Sequence, residues 1–119
     1  MATDDSYTVA LLHMDGDDAS TTFVDESGKT WTASGNAQID TAQSKFGSAS
    51  GLFDGTGDYI STSDSADFDF PGDFTIDFWI RLNTTGVTCI LYDARPTGAN
   101  GIYPTITLQA TNVITFFVS

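Results

Sequence analysis

The chain has 119 residues, a length at which one domain, 1–119, with one buried core is expected. Sixteen acidic residues against four basic ones leave a formal net charge of −12, which repels phosphate backbones and anionic lipid surfaces and argues against nucleic-acid binding and membrane insertion. At 40% hydrophobic and 13% aromatic residues, the composition is not that of a disordered chain.

Glu26 is the one glutamate; every other acid is an aspartate. Aspartate suits turns, because its short side chain bonds nearby backbone N–H groups and tolerates left-handed geometry, so the chain reads as loop-rich and helix-poor. Carboxylates in loops are also what a hard cation such as Ca²⁺ requires. Cys89 is the lone cysteine, so no internal disulfide can form. No apolar run reaches the roughly 18 residues of a membrane span. The start, "MATDDSYTVALLHMDGDD", lacks a basic n-region and a long apolar stretch; a secretory signal is not expected, and synthesis in a cytoplasm is.

Taken in chain order, Tyr7, Val9, Leu11 and His13 alternate with Thr8, Ala10 and Leu12, predicting a first strand that "DGDD" stops. "TFVD" at 22–25 is a short extended piece closed by "ESGK". "TWTA" and "AQID" predict two short strands around the Ser34-Gly35-Asn36 turn. "SGLFD" and "DYIST" flank "GTG" and predict a hairpin. Residues 64–70 are one helical turn or a loop, ended by Pro71-Gly72. The strongest alternation is "DFTIDFWIRLN" at 73–83: Phe74, Ile76, Phe78, Ile80 and Leu82 share one face, Asp73, Thr75, Asp77, Trp79 and Arg81 the other. "VTCILYD", "TITLQA" and "NVITFFVS" supply three further strands. Turn signals at roughly ten-residue spacing predict an all-β sandwich or barrel.

The strings "LLHMDG", "TTFVDESGK", "AQIDTAQSKFGSASGLFDGTGDYIS" and "GDFTIDFWIRLN", in this order from Leu11 to Leu82, resemble the laminin-G-like members of the concanavalin A-like lectin/glucanase superfamily. The resemblance is to the versions found in bacteriophage virion and tail-associated adhesin proteins. It implies an antiparallel β-sandwich, a jelly roll of two packed sheets. Such domains carry further strands, so the reading expects a truncated sandwich completed by another copy, another protein or additional sequence. The apolar "VITFFVS" would otherwise be a bare edge, which invites pairing.

Catalysis is not expected, although the superfamily includes glucanases. Retaining glycoside hydrolysis needs two carboxyl groups about 5 Å apart; the glucanase arrangement "E-x-D-x-x-E" is absent, and His13 and Cys89 stand in no nucleophile motif. For metal, "MDGDDAS" lacks the full calcium-loop pattern. The resemblance implies a rim Ca²⁺ held from separate loops, with Asp15, Asp54 and Asp58 as the residues to examine; the alternative is that Asp54-Gly55 and Gly57-Asp58 only build turns. For ligand, Trp79 on the non-core face could stack on a sugar ring, Asp77 and Arg81 could bond its hydroxyls, and Tyr59 could extend the platform. Equally, Trp79 could be covered and Arg81 paired with Asp77 across one pleat. His13 reads as a core or rim histidine, Cys89 as a buried small hydrophobe, Trp31 as packed under a turn, and Lys29, Lys45 and Arg95 as solvated charges.

The function expected is a non-enzymatic module of a phage virion protein, a tail fibre, adhesin or decoration component. It would bind host-surface polysaccharide, other virion subunits, or copies of itself as a homo-oligomer. A secreted, extracellular carbohydrate-binding module and a purely structural decoration protein are the alternatives.

Overall fold

The structure, a computed structural model, describes residues 5–96 and 103–118. The N-terminal tetrapeptide, the glycines expected to break the chain at 98–101, and Ser119 lie outside the described residues. Among the described residues there are seven strands, one 3₁₀ turn and no α-helix: β1 (Trp31–Ser34), β2 (Gln38–Asp40), β3 (Ser50–Leu52), β4 (Tyr59–Thr62), β5 (Cys89–Asp93), β6 (Pro104–Leu108) and β7 (Ile114–Val118). All pairings between them are antiparallel. The chain divides into two compact units, one running to Ser63 and one starting at Asp64.

In the first unit β1 pairs with β4 and β2 with β3. Alternation sets the faces: Trp31 and Ala33 of β1 are half-buried while Thr32 is exposed, and Ile60 of β4 turns inward so that Tyr59 must turn outward. The core is small. Ile39 of β2 is fully enclosed, with Phe23, Ala37 and Ala49 beside it, and Leu12, Met14, Trp31, Ala33 and Ile60 pack against them. Both ladders therefore contribute to one hydrophobic cluster.

The "SGLFD"/"DYIST" hairpin is corrected. β3 and β4 do not pair with each other; each pairs with the strand across the other turn, Ile39 opposite Gly51 and Ala33 opposite Ile60. The chain thus passes between the two ladders twice, at 35–37 and at 53–58. Turn residues permit a reversal without choosing its partner, and here the carboxylate of Asp58 ties the two crossings together.

The first predicted strand is also corrected. Residues 7–13 form no strand, only an isolated bridge between Leu12 and Asp25. The Leu11 N–H goes instead to the Asp25 carboxylate at 3.0 Å, a side-chain acceptor competing with a ladder.

In the second unit β5, β6 and β7 form one sheet in that order, with a register shift between Ile90 and Tyr92. β6 is central and buried at Pro104, Thr105, Thr107 and Leu108, whereas β7, an edge strand like β5, exposes Ile114, Phe116, Phe117 and Val118. The β6–β7 hairpin turns through Asn112 at φ +63°, a conformation that asparagine tolerates. At 64–70 the helical turn exists: Ala66–Phe68, capped by the Ser65 hydroxyl, which accepts the Asp67 N–H.

The strand at 73–83 is overturned. The segment joins no ladder among the described strands, and Phe74, Phe78, Ile80 and Leu82 are exposed, with Ile76 half-buried. Period two decides which side chains would share a face once a strand is paired, but it cannot supply the neighbour that takes the backbone N–H and C=O groups. The aromatic start of the segment finds a local contact instead, Phe74 stacking on Phe70 at 4.5 Å.

Candidate functional site

Asp54 and Asp58, two of the three residues considered for metal, meet at the paired crossings of the first unit. Asp58 accepts the Asn36 N–H through Oδ1 at 2.6 Å and the Asp54 N–H through Oδ2 at 2.7 Å. Asp54 accepts the Asn36 side-chain amide at 3.1 Å and the Thr56 N–H at 2.7 Å. The Asn36 amide, followed by the Thr56 N–H, holds the Asp54 carboxyl below its ordinary range. Gly35 sits at φ +68° against this network; a Cβ there would collide with Asp58 Oδ1 and lie 2.8 Å from the Gly57 carbonyl. These carboxylates fasten turns.

Beside the crossings lies an open groove of about 310 Å³ lined by Thr21, Gly35, Asn36, Gln38, Leu52 and Asp54. Asn36 and Asp54 are oriented by the bonds just described, and Gln38 is placed by β2.

Asp15, the third metal candidate, is half-buried and lines a separate cavity of about 270 Å³ with His13, Met14, Gly16, Val24 and Glu26. Its Oδ1 is enclosed and has no hydrogen-bond partner. Among the described residues no three His, Cys, Asp or Glu side chains converge as a metal ion requires, so Asp15, Asp54 and Asp58 do not form one rim cage. Both oxygens of Asp58 and Oδ1 of Asp54 accept backbone N–H groups, and Asp54 Oδ2 accepts the Asn36 side-chain amide, so these two carboxylates are held by the turns while Asp15 stands at the other cavity.

The residue that sequence reasoning missed is Asp25. It is 7% exposed, yet every approach to it is a donor: Leu11 N–H at 3.0 Å, Ser27 N–H at 2.8 Å, Ser27 O–H at 2.6 Å and Trp31 Nε1–H at 2.8 Å. Burial pushes its pKa up, but the Ser27 hydroxyl, the Trp31 indole and the two backbone groups outweigh it and hold the carboxyl below its ordinary range. The signal available was Asp-x-Ser, an Asx-turn spelling that joins residues 25 and 27. Trp31 is thereby fixed as a half-buried structural residue.

The ligand candidates divide between the units. Trp79 is 70% exposed, and Arg81 donates to the Asn83 side chain at 2.5 Å. Asp77 is exposed in the same segment. Tyr59 is exposed on β4 of the first unit. Two of the charges taken as solvated have partners: Lys29 donates to the Val9 carbonyl at 2.6 Å, and Arg95 forms a two-pronged ion pair with Asp93 at 2.6 Å. Lys45 lies 5.8 Å from the Phe46 ring centre, and Cys89 is half-buried at the start of β5. No helix among the described residues is long and apolar enough to cross a membrane. Comparison with protein-family models, curated proteins and solved structures found no match for the chain.

Proposed function

We propose that the chain is a non-enzymatic β module that works by attachment, in a phage virion protein such as a tail fibre or adhesin, to neighbouring subunits and to host-surface saccharide. A laminin-G-like jelly roll is the finer fold that goes with this reading. It rests, with the virion placement and synthesis in a host cytoplasm, on the strings between Leu11 and Leu82 alone.

The observation that carries attachment is the aromatic and apolar surface open on the second unit: Phe74, Phe78, Trp79 and Ile80 in one segment, Ile114 and Phe116 on β7. Covering exposed apolar surface is favourable by about 25 cal/mol per Å², which favours a partner over these side chains. A flat indole suits the C–H face of a sugar ring. The edge strand β7 suits strand addition from a second copy or another virion subunit.

The test is binding of the labelled full chain to intact bacterial cells and to a glycan array, with light scattering across a concentration series. Retention on cells or glycans that falls when Trp79→Ala is introduced supports the adhesive reading. Assembly without glycan or cell binding points to a structural decoration component. A monomer at every concentration that binds neither cells nor glycans overturns the proposal.

A further inference from the structure

We infer that the groove beside the Asp54–Asp58 crossings takes two adjacent hydroxyls of a neutral saccharide, an inference that rests on the saccharide-binding reading above and adds to it a polar contact in the first unit. The chemistry is that of the lining. A sugar hydroxyl both donates and accepts, so neighbouring hydroxyls are best met by an acceptor set beside a donor. Asp54 offers only acceptors, and each of its oxygens spends one bond on Asn36 or Thr56, leaving capacity on both. Those same two bonds fix the direction of the carboxylate before any ligand arrives, which reduces the ordering cost of binding.

Gln38 and Thr21 supply the complement. Gln38 carries two N–H donors and a carbonyl, Thr21 a hydroxyl, and neither side chain has a hydrogen-bond partner among the described residues. Leu52 provides an apolar patch for ring C–H groups. The cavity of about 310 Å³ is at the small end of ligand sites, enough for one or two sugar rings. An anionic ligand is disfavoured by the carboxylate and the net charge of −12. A cation is disfavoured because Asp54 is the one acid in the lining.

The test is a two-dimensional amide NMR titration of the full chain with maltose, cellobiose and lactose in turn, and with glycerol as a small polyol. The inference expects at least one disaccharide to move the resonances of Thr21, Gly35, Asn36, Gln38 and Leu52. Gln38→Ala should weaken that disaccharide about tenfold, the loss of one hydrogen bond to a ligand. Thr21→Val is a second, independent variant, and both should leave amides outside the groove in place. Shifts confined to the Trp79 indole overturn the groove and leave saccharide binding standing. Groove shifts undiminished in both variants, or matched by glycerol, overturn the inference, as does silence of the groove toward all three disaccharides. Binding to intact cells with a silent groove separates this failure from that of the broader reading.

Discussion

Asp58 and Asn36, 22 positions apart, are joined by a hydrogen bond of 2.6 Å from the Asn36 backbone N–H to the Asp58 carboxylate. The second oxygen of the same carboxylate takes the Asp54 N–H at 2.7 Å. One side chain therefore joins both crossings between the two ladders.

Asp58→Ala removes both acceptors together and should destabilise the first unit by about 1–2 kcal/mol. Urea unfolding followed by Trp31 fluorescence measures this. Gly35→Ala should act in the same direction through collision with the same carboxylate. An unchanged midpoint for both variants would show that the crossings hold without Asp58.

Asp25 is expected to contribute to acid sensitivity. Its folded pKa is lowered, so its contribution is complete above the ordinary carboxylate value and is lost as pH falls through the lower, folded value. Stability followed from neutral pH downward should therefore fall below about pH 4. Asp25→Asn should make that decline shallower. At neutral pH the same variant should cost about 1–3 kcal/mol, because a buried amide cannot accept from all four donors. A thermal-melt series across pH reads both effects.

Ile39 and Phe78 should respond in opposite ways to truncation. Ile39 is wholly enclosed, and Ile39→Ala should cost about 2–5 kcal/mol. Phe78 is exposed in an unladdered segment, so Phe78→Ser should cost about 1 kcal/mol or less, against ~3–5 for a core phenylalanine. Hydrogen exchange gives a parallel reading: the amides of 73–83 should exchange quickly and those of β6 slowly. Slow exchange at 73–83 would restore that segment as a paired strand.

Chelation should leave the melting temperature unchanged. Asp54 and Asp58 already serve backbone donors and Asp15 stands at another cavity. A native-state ligand held with useful affinity raises the melting temperature. A drop on adding EDTA, or a rise on adding Ca²⁺, would count against this arrangement; loss of the rise in Asp15→Asn would then trace the ion to the cavity beside His13.

Much of the fold was legible locally. "TWTA", "AQID", "SGLFD", "DYIST", "VTCILYD", "TITLQA" and "NVITFFVS" alternate or carry β-branched and aromatic residues, and a strand lies in or across each. For 64–70 the sequence left a helical turn or a loop open before Pro71-Gly72, and the structure decides for the turn, capped by Ser65. At the candidate site, the Asp-Gly spelling marked 54–58 as turns, and turns they are. What it concealed was Asn36 and Gln38, because a neighbour 18 or 22 positions away leaves no trace in spacing.

By itself, the sequence determined the β character of the chain, its turn positions and its strongly acidic surface, since these follow from dihedral preference, side-chain length and charge count. Only the tertiary structure decided which strand pairs with which, that Phe74–Leu82 stands outside every ladder described, and that Asp25 is a buried hub. A β-strand's hydrogen bonds and a buried carboxylate's donors come from elsewhere in the chain, so local pattern can offer the groups but not assign their partners.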